Sequence, residues 1–221
     1  MKTHLNLVLF LSISLSTFAQ KGKFDFEINA FSKKDSLAMP AQGQILLYGS
    51  STIRFWGSSA KDLAEYQTIN RGFGGSQTED AIYYFDRMVV PYQPKLILFY
   101  EGDNDLAAGK SVETVYQDYL TFMALVKEKC PNTQVAIYTL RPSLLREASM
   151  PKQRELNELY RVYCKKHKKK AFLIDAYKDL LDADGRPNGS LLVADKLHLN
   201  AEGYKIWTSV TKQFLEKWSK K

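Results

Sequence analysis

The sequence predicts an α/β sandwich built on a mainly parallel five-stranded sheet. Three observations carry that prediction. From residue 44 onward, short apolar runs alternate with longer mixed stretches, the pattern of repeated β-α units. Two of the runs, KLILFY (95–100) and QVAIYTL (134–140), are almost continuously apolar, as strands covered on both faces must be. The stretches between them repeat apolar residues at steps of three and four, the period of a helix with one face on a core.

The elements follow in order. Residues 1–20 read MKTHLNLVLFLSISLSTFAQ: an early lysine, an apolar run over 5–15, then small residues ending at Ala19. This is the layout of a secretory signal peptide with cleavage after Ala19, and the run is short for a membrane span. The chain is therefore expected to be exported, to the periplasm or beyond, with no stable membrane insertion. Residues 20–43 show no sustained period and are expected to form an extension laid irregularly over the domain. Strands are expected at 44–48, 68–70, 95–100, 134–140 and 171–175. Helical stripes run through Val112, Val115, Tyr119, Met123 and Val126, through Leu156, Leu159, Tyr160 and Tyr163, and through Tyr204, Trp207, Thr211, Phe214 and Trp218. The aromatic residues in these stripes read as core. No internal repeat or boundary divides 44–221, so one domain is expected there.

Composition agrees with a globular chain of 221 residues, 45% hydrophobic and 25% charged. The net charge is +7, and one charge less once Lys2 is removed with the leader. Much of the excess lies in KKHKKK (165–170) and the tail KWSKK. The first run ends a predicted helix, where cations complement the carbonyl end, so no nucleic-acid partner is expected. Cys130 and Cys164 both fall on predicted helices and read as core thiols; two cysteines make no disulfide framework. No cluster has metal-ligand spacing and no Gly-rich phosphate loop opens a helix. No cofactor is called for.

The functional crevice of such a sheet lies outside the carboxyl ends of its strands, so the loops after the strands carry the chemistry. The first strand ends in Gly49-Ser50-Ser51, and a serine nucleophile needs a base, usually histidine. There are three histidines. His4 lies in the leader and His167 inside the basic run. His198 remains, three residues after Asp195 in DKLHLN. Asn200 and Glu202 suit the start of the last helix, which places the Asp195–His198 pair on the loop just before it.

Taken in order, these loops give GSSTIRFW, NRGFGGSQT, YEGDNDLAAG and DKLHLN. Together the four blocks resemble the SGNH hydrolases, the GDSL-type esterases and lipases, in a bacterial acylhydrolase-like subgroup. The resemblance implies a flavodoxin-like three-layer α/β/α fold. It also implies Ser51 as nucleophile, Asp195 and His198 as acid and base, and an oxyanion hole from the N–H groups of Ser51 and Gly75 and the amide of Asn104. Gly74 adjoins the second block's glycine. In one place the chain departs from the pattern: Ser50 stands where the family's G-D-S block has aspartate.

Arg54, Trp56 and Arg141 are expected to line the substrate cleft, with core packing the alternative for Trp56. Arg141 and Arg146 both follow the fourth strand and could meet an anionic or sugar substrate or form ion pairs. Asp103 and Asp105 flank Asn104, as loop braces or as solvated acids. The resulting expectation is an exported serine esterase acting on small acyl esters, acetyl on carbohydrates foremost, through an acyl-enzyme. The alternatives are a lysophospholipid acylhydrolase and a catalytically silent glycan-binding module.

Overall fold

The computed structural model describes residues 22–220; the expected leader, with Lys2 and His4, lies outside the described residues. A helix, α1 (Asp25–Leu37), precedes the sheet. The chain then runs β1 (Ile45–Gly49), α2 (Ser51–Arg54), α3 (Ser59–Asp62), β2 (Thr68–Gly72), α4 (Thr78–Tyr83), α5 (Phe85–Met88) and β3 (Leu96–Tyr100). It continues through α6 (Asp103–Ala107), α7 (Val112–Lys129), β4 (Gln134–Tyr138), α8 (Met150–Lys166), β5 (Ala171–Ile174) and α9 (Ala201–Trp218). Short 3-10 turns lie between several of these, one over Leu144–Ser149.

The five strands pair in the order β2-β1-β3-β4-β5, every pair parallel. This is the flavodoxin order, in which the chain leaves β1 in one direction for β2 and returns on the other side as β3. In sheets of this kind the switch between β1 and β3, at their carboxyl ends, is where ligands bind. Both strands are wholly buried, which accounts for their unbroken apolar runs.

The pleat sends alternate residues to opposite faces. On one face Phe99 stacks on Phe122 of α7 at 4.0 Å, with Tyr48 beside them. On the other, Tyr100 and Tyr138 receive Trp207 of α9, Tyr138 in a stack at 4.3 Å. Helices therefore cover both faces, giving the three layers. The α9 stripe is slightly rotated from expectation: Trp207, Thr211 and Leu215 are buried, while Tyr204, Phe214 and Trp218 sit at its flanks. Cys130 and Cys164 are buried and unpaired, and burial pushes the Cys164 thiol up to about 12.

Residues 25–37 correct the expectation of an irregular extension. The segment is helical, with Asp25 and Glu27 in its first turn and Lys34 in its last, both placements favourable to the helix dipole. It lacks an apolar stripe because Ile28 is the one residue within it that is buried. Long-range contacts hold it instead: Phe24 edge-on to Phe73 at 5.2 Å, Asp35 to Arg71 at 2.6 Å, and Glu27 to Arg54 at 2.9 Å. Attachments of this kind leave no periodic pattern in the sequence.

Candidate active site

Gly49 and Gly72 set where α2 can begin. Gly49 has φ +137°, and a Cβ there would lie 2.1 Å from the Tyr100 carbonyl oxygen. A Cβ on Gly72 would lie 2.3 Å from the Arg54 nitrogen. With neither side chain present, the turn after β1 sits down between β3 and the end of β2. Ser50 is the N-cap of α2 and Ser51 its first residue. Because α2 has four residues, it offers a free N–H at Ser51 and little macrodipole.

The Asp195–His198 pair is built locally. Val193 N donates to His198 O at 2.9 Å and Lys196 N to Val193 O at 2.9 Å, with Lys196 in the left-handed region at φ +59°. This turn brings the Leu197 and His198 N–H groups onto Asp195 Oδ1, at 2.8 and 2.9 Å. Asp195 Oδ2 is then 2.6 Å from His198 Nδ1. Burial works against the carboxylate charge, but the bonds from the His198 ring and the two N–H groups outweigh it and hold Asp195 at about 2. An ionised carboxylate accepts only, so Nδ1 carries a proton, and the tautomer this selects has its lone pair at Nε2. That nitrogen lies 2.9 Å from Ser51 Oγ, 147 residues away in sequence.

Arg141 joins the two halves. Its Nη1 donates to Leu197 O at 2.6 Å and its Nε to Thr52 Oγ1 at 3.1 Å. The His198 loop and the Ser51 helix thus share one guanidinium. Arg141 is 1% exposed, which corrects its expected place on the cleft wall: it fastens the wall from behind. Trp56 takes the core-packing alternative. It is fully buried, stacks on Tyr204 and donates to Asp62 at 2.7 Å. Arg54 does reach the surface, with 44% of its side chain exposed beside Glu27. Phe55 was not anticipated: it is half-exposed and meets the His198 ring edge-on at 4.8 Å.

On the opposite side of Ser51, Asn104 sits in the first turn of α6. Its Nδ2 donates to Ser50 Oγ at 2.7 Å and to Ser76 O at 2.8 Å. A Cβ on Gly75 would lie 3.9 Å from the same nitrogen. The N–H groups of Ser51 and Gly75 have no hydrogen-bond acceptor among the described residues. Two free backbone donors and one side-chain amide therefore gather here, although both amide hydrogens already have acceptors. Of those acceptors, Ser50 Oγ turns about a single bond, whereas Ser76 O is fixed in the backbone. Ser50, 3% exposed, thus accepts from Asn104 in the position where the family pattern has a carboxylate.

Buried acids brace this loop. Asp103 accepts from Arg146 and Gln153, at 2.6 and 2.8 Å. Asp105 accepts from Thr78 N at 3.1 Å and from Lys110 at 3.2 Å. Burial nevertheless pushes Asp105 up to about 6, against the pull of Lys110 and the Thr78 N–H. Glu101 is buried beneath Ser76, takes its hydroxyl at 2.6 Å, and is pushed well above the carboxylate range by burial. Both flanking aspartates are therefore structural braces, not solvated acids. Among the described residues, no cluster of histidine, cysteine or acid side chains could hold a metal, and no helix is long and apolar enough to cross a membrane.

A flavodoxin-order sheet with a hydroxyl, an imidazole and a carboxylate aligned at its switch point defines an SGNH-type α/β hydrolase. A profile of the GDSL-like lipase/acylhydrolase family matches residues 42–206. The chain belongs to that family and is an ester-hydrolysing enzyme. Solved structures share the fold. A GDSL-like lipase from Bacteroides thetaiotaomicron superposes with a TM-score of 0.74 at 19% identity, over 86% of this chain and 97% of its own. A lipase/acylhydrolase from Enterococcus faecalis gives 0.66 at 19%, over 80% and 96%. An acetyl xylan esterase gives 0.64 at 17%, over 77% and 98%. A search of curated protein sequences returned no match.

Proposed function

We propose that this chain is an exported serine esterase that removes small acyl groups, acetyl foremost, from carbohydrate esters. The observation that carries the chemistry is the unbroken line from Asp195 through His198 to Ser51 Oγ. Ser51 Oγ attacks the ester carbonyl carbon while His198 Nε2 takes its proton. The carbonyl oxygen becomes an oxyanion facing the Ser51 and Gly75 N–H groups and the Asn104 amide. Ser50 Oγ rotates away, which frees the amide hydrogen it had accepted for the oxyanion. Each such donor contributes roughly 3–4 kcal/mol in a comparable transition state. The ester C–O bond breaks and the alkoxide leaves with the proton from His198. Water, deprotonated by the same nitrogen, then attacks the acyl-enzyme, releasing the acid and restoring Ser51.

Support for the substrate class comes from the leader sequence, which argues for a substrate outside the cytoplasm, and from likeness to an acetyl xylan esterase. The half-exposed Phe55 against His198 favours a second reading, in which a longer acyl chain lies on that ring. The test is hydrolysis of p-nitrophenyl esters from acetate to laurate, alongside acetate release from acetylated glycans, with Ser51→Ala as control. Acetyl preference with acetate release supports the first reading and long-chain preference the second. Full activity in Ser51→Ala would remove both.

A further inference from the structure

The amide of Asn104 can serve an oxyanion only if its NH₂ side faces Ser51, and an amide left to itself can turn over. Two one-sided partners prevent this. Arg146 has only donors, and its Nη2 lies 2.7 Å from Asn104 Oδ1. Ser76 O is only an acceptor and lies 2.8 Å from Nδ2. Reversing the amide would set N–H against guanidinium and oxygen against carbonyl, both repulsive.

Arg146 is itself held. Its Nη1 donates to Asp103 Oδ2 at 2.6 Å, and Gln153 holds the other Asp103 oxygen at 2.8 Å. Its side chain is 14% exposed. Its backbone, at φ −119° and ψ 25°, leaves the helical region inside the 3-10 segment, which aims the side chain back toward α6. The preceding residue, Leu145, donates its N–H to Lys196 O at 3.0 Å, so the same segment also touches the His198 loop. The guanidinium draws electron density from Oδ1, and this strengthens the amide's N–H groups as donors.

Building on the proposed serine mechanism, we infer that Arg146 is a positioning residue for the oxyanion hole, acting through Asn104 by fixing its amide face and polarising it. The consequence is specific. Loss of Arg146 weakens a contact made to the transition state and not to the bound ester, so kcat falls while KM holds.

The experiment is a double-mutant cycle on p-nitrophenyl acetate: wild type, Arg146→Met, Asn104→Ala and the double variant, with Arg146→Lys alongside. Arg146→Met should lower kcat about tenfold to a hundredfold with KM within about threefold. Arg146→Lys, with one donor able to reach Oδ1, should recover part of the loss. In the Asn104→Ala background, Arg146→Met should change kcat less than about twofold, because its target is gone. Equal losses in both backgrounds would show Arg146 acting on general structure and overturn the inference. So would a kcat within twofold of wild type for Arg146→Met, or no loss in Asn104→Ala. If Arg146→Met does not fold, Arg146→Leu, which likewise lacks a donor, takes its place in the cycle with the same criteria. Ser51→Ala separates the two levels: an active Ser51→Ala refutes the serine mechanism, whereas an inactive one beside an additive cycle refutes Arg146 alone.

Discussion

Replacing Arg141 by methionine tests whether one buried cation holds the two halves of the site together. The guanidinium makes bonds of 2.6 and 3.1 Å to Leu197 O and Thr52 Oγ1, and no carboxylate pairs with it among the described residues. Hydrogen bonds from a charged donor are worth roughly 1.5–3 kcal/mol each, so the pair contributes about 3–6 kcal/mol. Burying the guanidinium without a counter-charge costs several kcal/mol in the opposite direction, and methionine fills much of the space. The two contributions nearly offset, so Arg141→Met should change folding stability by no more than about 2 kcal/mol. Geometry has no such offset. Leu197 O, next to His198, loses its anchor, and a displacement near 1 Å costs on the order of 100-fold in rate. We therefore expect kcat on p-nitrophenyl acetate to fall about 10- to 100-fold with little change in KM, while the urea midpoint moves by no more than about 1 M. Thr52→Val, which removes one of the two bonds, should give a smaller loss in the same direction. A folded Arg141→Met variant with kcat within threefold of wild type would show that the guanidinium does not hold His198 in register with Ser51.

Three further outcomes follow. Asp195→Asn should lower kcat on the order of 1,000-fold or more, because its amide turned toward Nδ1 moves the ring proton to Nε2, against Ser51; a pH–rate series that restores activity at high pH would contradict this. Gly49→Ala should destabilise the fold by on the order of 3 kcal/mol or more, since the new Cβ meets the Tyr100 carbonyl at 2.1 Å; an unchanged urea midpoint would count against the β1–β3 approach. Asp105 titrates near 6 in the fold and near 4 when unfolded, so the native state binds the extra proton between those values and stability falls as pH rises from 4 to 6, then levels. The ceiling is about 3 kcal/mol, and Asp105→Asn should flatten that part of the profile; parallel profiles for the two proteins would exclude Asp105 as the cause.

The alternation of elements was legible because each depends on short-range pattern. Two-face burial leaves an unbroken apolar run, and one-face burial leaves a helical stripe. The Asp195–His198 pair was legible for a similar reason. A tight turn with Lys196 at positive φ and two N–H groups on Asp195 is decided within six residues. Ser51, Gly75 and Asn104 were legible as loop positions after successive strands, since strand ends define one rim in any parallel sheet. Arg141 was misplaced, and Trp56 was left between cleft and core, because pattern tells which edge a residue occupies, not whether another layer covers it.

Short-range pattern thus suffices for the parallel α/β class, the loops that carry chemistry, and the local acid–imidazole unit. That His198 meets Ser51 across 147 residues emerges from the packed chain alone. The same holds for Arg141 closing that junction from behind, for Arg146 fixing the face of Asn104, and for residues 25–37 forming a helix. These contacts depend on strand order and on how layers stack. Both are properties of chain segments brought together, and no window of neighbouring residues contains them.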